Sequence, residues 1–274
     1  MNDRPALFDF DDGEAWLPDL RSHLGNLLPA DSEQLLRAGA IEDCWDAKIA
    51  LAQIIDLSEL YEPAREWIKG RGVVCYHGTR LDSDQRASVS RHGLIPLNPA
   101  EREEAIRRFL APHPRWREIE GRVAEAIDFV GNGGAGNRQG QVHLTLSGAG
   151  LLRSFNHYLV EGAEFDHHVA NYLLGEECHD LNRARGQGLL YRTRLDGSAA
   201  LVAANPFGEP NPPNLIGEVI ETLAWSLATG RNDTANLELD CGLILYEGIA
   251  TDAIIEVVEV PDDALWEHYD HRLR

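Results

Sequence analysis

The sequence predicts an α+β fold, and three observations carry that prediction. Apolar residues recur at helical spacing over residues 14–70 and again over Leu215–Thr229. Short apolar runs of strand length stand at Val73–Tyr76, Gln141–Leu146, Gly188–Leu195, Cys241–Tyr246 and Ile254–Val260. Long helical inserts separate these strands irregularly, which argues against a regular βαβ series. The chain has 274 residues, 43% of them hydrophobic, so a sizeable core can form.

Leu17, Leu20, Leu24, Leu27 and Leu28 open the helical stretch, Asp31-Ser32-Glu33 can cap a helix holding Leu35 and Leu36, and Ala47 through Ile55 continue the pattern. Gly70-Arg71-Gly72 breaks it, which divides an acidic helical N-terminal region, 1–70, from a domain over 71–274. The first strand is expected to close at Tyr76-His77-Gly78-Thr79. An imidazole would then stand at a cleft edge, next to a glycine that lets a ligand approach the backbone. Residues 100–130 read as two helices interrupted by Pro112 and Pro114, and the glycine-rich stretch 131–140 leads into the next strand. The best-marked element is a helix over Leu215–Thr229. Leu215, Ile216, Val219, Ile220, Leu223 and Leu227 form its apolar stripe, Pro212-Pro213-Asn214 opens it, and Gly230 closes it.

The formal charge is −20, from 45 acids and 25 bases. Residues 1–70 carry 15 acids and 6 bases, residues 71–200 carry 16 of each, and residues 201–274 carry 14 and 3. So negative a chain is expected to repel nucleic-acid backbones and anionic lipid. Four scattered cysteines without a CxxC pair fit reduced thiols in a cytosol. No apolar run approaches a membrane span and the first residues do not resemble a secretory signal, so a cytoplasmic location is expected, with delivery by a non-classical route left open. Lys48 and Lys69 are the only lysines, which reads as codon usage.

Several motifs carry an ordinary reading beside a functional one. Gly131-Asn132-Gly133-Gly134-Ala135-Gly136 spells a dinucleotide fingerprint, but the helix precedes it and the strand follows, the reverse of that motif's order. His157, His167, His168, Cys178 and His179 match no recognised zinc spacing, so surface or hydrogen-bonded histidines are expected and no metal is assigned. Cys75 beside His77 is read as a buried strand cysteine rather than a nucleophile. The acidic tail Asp262, Asp263, Glu267 and Asp270 reads as a solvated face.

Tyr76-His77-Gly78-Thr79, a helix-length spacer and Gly93-Leu94-Ile95-Pro96 together resemble the opening of the ADP-ribosyltransferase superfamily. Val142-His143-Leu144-Thr145-Leu146-Ser147 is similar to that group's next strand. Ser154-Phe155-Asn156-His157-Tyr158 is similar to the small residue and tyrosine on its following helix, with Ala170-Asn171-Tyr172 as a competitor. Leu189–Asp196 and Gly242–Leu245 extend the resemblance over about 71–260. It implies a split β-sheet core with helical inserts behind a helical N-terminal region.

The resemblance further implies a cleft for NAD⁺ as substrate. His77 would bond a ribose hydroxyl, the Gly78 backbone would hold the carboxamide beside Thr79, Tyr158 would stack on the nicotinamide, and Arg80 would meet the pyrophosphate. A carboxylate near the ribose would stabilise the oxocarbenium-like transition state. His143 stands where many members have a tyrosine, and Gly242 falls at the usual catalytic glutamate, which leaves Asp240 or Glu238 for that role. The implied activity is mono-ADP-ribosyl transfer of a bacterial type to an unidentified acceptor, whether protein, nucleic acid or small molecule. A toxin, effector, defence or modification role stays open. Two alternatives stand beside it: a degenerate transferase fold acting as a binding module, and an NAD-dependent RNA 2′-phosphotransferase. The second is disfavoured by the chain's charge and by the absence of a basic N-terminal lobe.

Overall fold

A computed structural model describes residues 5–37, 39–133, 138–154, 156–205, 214–237 and 241–269. In chain order, β1 (Leu7–Phe8) precedes α1 (Gly13–Leu24), α2 (Ser32–Arg37), α3 (Cys44–Ala52) and α4 (Ser58–Lys69). Then come β2 (Gly72–Leu81), α5 (Ser83–His92), α6 (Pro99–Leu110), α7 (Trp116–Ile119), α8 (Val123–Gly131) and β3 (Val142–Thr145). They are followed by α9 (Gly148–Ser154), α10 (His157–Glu161), α11 (Glu164–Leu174), α12 (Cys178–Arg183), β4 (Gln187–Asp196) and α13 (Gly197–Ala203). The chain continues through α14 (Asn214–Thr229), β5 (Gly242–Leu245), β6 (Ile254–Val260) and α15 (Asp262–Tyr269). The fold is mixed α and β with an open antiparallel sheet. Its strand order is β5-β3-β2-β4-β6, and β1 adds to β2 in parallel.

The five expected strands and the Leu215–Thr229 helix are all present, β6 with the bounds expected. One difference matters for function. β2 does not close at Tyr76–Thr79 but runs on to Leu81, so His77 is a mid-strand residue. Gly78, Thr79 and Arg80 are buried in succession, as in a strand flanked by β3 and β4 on both sides. The expected boundary at residue 70 also differs from the compact units. One consists of Met1–Cys75, Thr145–Gly150 and Arg194–Ile244, the other of Tyr76–Leu144, Leu151–Thr193 and Leu245–Arg274.

In the first unit, α14 packs against α2, α3 and α4. Its whole predicted stripe, from Leu215 to Leu227, is buried. Each of these side chains contributes about 1.5–3 kcal/mol of gross burial energy, which makes α14 the internal spine of its unit. Phe8, Trp16 and Trp67 form a second core there, with Phe8 edge-on to both indoles at 5.2 Å.

In the second unit, α6, α8 and α11 bury Ile106, Leu110, Val123, Ile127, Phe165 and Val169 in one cluster. An Asp82–Gln85 capping box starts α5 at the end of β2. Gly93 then reverses the chain at φ +75° and lets Leu94 and Ile249 exchange both backbone hydrogen bonds, at 2.9 and 2.7 Å. A Cβ on Gly93 would stand 1.9 Å from the Ile249 carbonyl oxygen, so only glycine fits. The Gly-Leu-Ile-Pro motif is thus a tie between the α5 exit and the turn before β6.

Candidate functional site

The second unit contains a cleft of about 320 Å³ lined by His77, Gly78, Thr79 and Arg80 of β2, by Leu94–Pro96, and by Val142 and His143 of β3. Tyr158, Glu164 and Asp166 from α10 and α11 line it too, with Arg102, Arg138 and Arg185. Six of the eight residues singled out in the sequence therefore meet in one cavity. The other two, Glu238 and Asp240, lie outside the described residues. The competing Tyr172 does not line the cleft. Its hydroxyl donates to Glu125 at 2.6 Å and its ring packs on Phe129.

His77 donates from Nδ1 to the backbone carbonyl of His143 at 2.8 Å. A carbonyl can only accept, so Nδ1 carries the proton, and in the neutral ring Nε2 keeps a lone pair. Burial lowers the pKa of His77 and outweighs the opposing backbone bond, which favours that neutral form. His143 donates Nε2–H to the Gln141 side chain at 2.7 Å. Burial, joined by the nearby Arg138 charge, lowers its pKa to about 4. Both histidines are therefore neutral hydrogen-bonding groups near pH 7.

One expectation needs correction. Arg80 is 4% exposed and all five of its N–H donors are occupied: Nε by the Arg185 carbonyl, Nη1 by the Leu159 carbonyl and Asp262, and Nη2 by the Gly186 carbonyl and Asp262. A guanidinium so completely paired has nothing left for a pyrophosphate. Asp262, read as part of a solvated tail, is exposed as expected and also serves as its bidentate partner. Gly78 lines the cleft, and a Cβ there would meet the Leu151 side chain at 2.7 Å.

The other cations of the cleft are arginines the sequence reading did not single out, each paired with a carboxylate. Asp166, 1% exposed, receives Arg185 at 2.8 Å and Arg102 through Nε at 3.2 Å and through Nη2. Burial acts to raise its pKa, but the two guanidiniums override that and hold it below the usual carboxylate range. Arg138 pairs with Glu164 at 2.7 Å, and the Tyr158 hydroxyl lies 3.5 Å from the same carboxylate oxygen. Burial opposes ionisation of Glu164 as well, and Arg138 again wins. Arg80 is matched by Asp262, and Arg102, Arg138 and Arg185 stand against Glu101, Glu164 and Asp166, so the lining is balanced in charge. Nothing local in the sequence signals these pairs, since their members are 64, 19 and 26 residues apart.

The remaining motifs sort by position. Gly242 opens β5 in an exposed place, and Glu247 is exposed and is not part of the cleft lining. Cys75 is fully buried, and burial, with Cys241 and Asp9 adding, raises its thiol far out of the nucleophilic range. Gly131 ends α8 and β3 follows, so the glycine run lacks the strand-then-helix setting of a dinucleotide fingerprint; residues 134–137 lie outside the described residues. His167 and His168 sit on helix α11, and His167 is drawn together with Cys178 and His179. Among the described residues, no helix is long and apolar enough to cross a membrane. Compared with models of known protein families, with curated proteins and with solved structures, the chain matches none.

Proposed function

We propose that the cleft binds NAD⁺ and that the protein transfers the ADP-ribose portion to an acceptor with release of nicotinamide. The observation that carries this reading is the convergence of His77, His143 and Tyr158 in one cleft with the partly exposed Arg102 and Arg138. The free Nε2 of His77 accepts a ribose hydroxyl, and the Tyr158 ring offers a face to the nicotinamide. Arg102 and Arg138, each only partly exposed, face the dianionic pyrophosphate in place of Arg80. In the transfer, the bond between nicotinamide and ribose breaks and its electron pair leaves with nicotinamide. A nucleophile of the acceptor bonds to the ribose carbon and gives up its proton. Glu164, ionised and beside Tyr158, is the described carboxylate best placed to stabilise positive charge on the sugar.

A second reading rests on Gly242 and Glu247. With glycine opening β5 and Glu247 away from the lining, the cleft serves as a site that binds NAD⁺ without consuming it. Calorimetry with NAD⁺ and chromatographic measurement of released nicotinamide separate the two. Binding with release supports transfer, binding without release supports the binding module, and no binding overturns both. His77→Ala is expected to weaken NAD⁺ binding about tenfold, the worth of one hydrogen bond, and to cost about 1–3 kcal/mol of stability because the His143 carbonyl loses its donor. Unchanged affinity in that variant removes His77 from the site.

A further inference from the structure

Outside the cleft, helices α10, α11 and α12 bring a thiol and two imidazoles together. One ring nitrogen each from His167 and His179 and the Sγ of Cys178 all lie within 4.8 Å of one another. Helix geometry makes this convergence, which linear spacing hides. α11 ends at Gly175, whose φ of +62° turns the chain back so that α12 starts with Cys178-His179 beside His167.

The surroundings point to a cation. Glu161, 7% exposed, places Oε1 2.6 Å from Nδ1 of His179 and Oε2 2.9 Å from Nδ1 of His167. A carboxylate gripping two imidazoles is the outer partner that metal-ligating histidines usually have. The fully buried Asn182 brings its amide nitrogen to 2.9 Å from the same Nδ1 of His167 and leaves its Oδ1 without a partner. One ring nitrogen offers either an N–H or a lone pair, so it cannot satisfy the carboxylate and the amide nitrogen together. With Glu161 on both Nδ1 atoms, an ion would bond through the Nε2 atoms, and that of His179 faces the exposed Glu176 at 3.2 Å.

We propose that His167, Cys178 and His179 bind one divalent transition ion of the zinc class, with Glu161 orienting the two histidines. Imidazole and thiolate donors suit zinc and exclude magnesium and calcium, which take oxygen ligands. On binding, Cys178 releases its proton to solvent and bonds as thiolate, while both histidines bond as neutral rings. Cys178 is fully buried, and the side chain of His179 is 29% exposed, which gives the ion a route in. The ion ties together the helices that carry Tyr158, Glu164 and Asp166, so its role is to brace one wall of the cleft. This inference does not depend on what the cleft binds.

The test uses the full chain without a polyhistidine tag, stripped with a chelator and then supplied with zinc chloride or cobalt chloride. Elemental analysis after gel filtration is expected to find one zinc per chain, and the cobalt form is expected to show thiolate charge-transfer absorption in the near ultraviolet. His179→Gln and Cys178→Ser lose the zinc, Cys178→Ser also loses the absorption, and Glu161→Gln weakens binding about 10–100-fold. Cys44→Ser, a thiol elsewhere in the chain, retains both signals. A folded wild-type chain that holds no zinc, or a charge-transfer band that survives in Cys178→Ser, overturns the site. Should Cys178→Ser fail to fold, the partly exposed His179 decides: a full equivalent of zinc in His179→Gln is equally fatal.

Discussion

Asp166 and Glu161 are both buried carboxylates, five residues apart, and each is held by two nitrogenous side chains, yet they are built for different ends. Asp166 is gripped by Arg102 and Arg185, whose charge does not change at any pH the protein meets. Glu161 is gripped by His167 and His179; burial acts to raise its pKa, but the imidazole hydrogen bonds override this and lower it to about 2. Guanidiniums have no lone pair to offer, so the Asp166 triad can only be an ion cluster. Imidazoles have one, so the Glu161 cluster can exchange its protons for a metal. The contrast separates a permanent electrostatic rivet on the cleft wall from an adaptable polar site outside it.

The largest effect should come from breaking the rivet. Asp166→Asn leaves two guanidiniums facing a neutral amide, one of them, Arg185, almost wholly buried. Removing one partner of such a buried pair costs about 3–5 kcal/mol. Thermal denaturation should show the melting temperature falling by roughly 10 °C. A drop of only a degree or two would mean that water reaches Arg102 and Arg185 and that the triad is no rivet.

The same contrast explains what the sequence could and could not disclose. The α14 stripe was legible because burial of one helix face imposes a period that any window reveals, and all six stripe residues are buried. His77, His143 and Tyr158, singled out from their motifs, line one cleft. The pairing of Arg80 with Asp262, 182 residues away, was not legible, and that pairing turned an expected phosphate ligand into a framework residue. Nor was the continuation of β2 through His77, because it depends on partners that only the folded sheet supplies. The histidine cluster was set aside for a similar reason. Its spacing fits no linear metal motif, and a helix reversal at Gly175 is what closes it.

A second, smaller effect concerns an imidazole beside a guanidinium rather than a carboxylate. His143 has a folded pKa of about 4, set first by burial and then by Arg138, with His77 adding and Glu164 opposing. Its ordinary value is about 6.5, so between these pH values the unfolded chain binds the proton more readily than the folded one. The stability this supplies is complete above pH about 6.5 and is lost as pH falls toward 4, amounting to about 2–3 kcal/mol. Urea denaturation from pH 7 to 4 should show a steeper decline in the wild type than in His143→Gln. Parallel curves would remove His143 from the pH response.

The smallest effect is the most discriminating. Arg138 and Glu164 form an ion pair, but with side chains 36% and 23% exposed they resemble a surface bridge more than the Asp166 triad. Arg138→Ala should therefore cost less than about 1 kcal/mol of stability. Its electrostatic consequence is local: removing the cation leaves Glu164 to favour the protonated ring, so the pKa of His143 must move up from its value of about 4. Imidazole proton resonances followed through an acid titration would report that shift directly. An unmoved midpoint would assign the low pKa of His143 to burial alone. The cleft arginines would then matter only to a bound anion, and not to the histidines beside it.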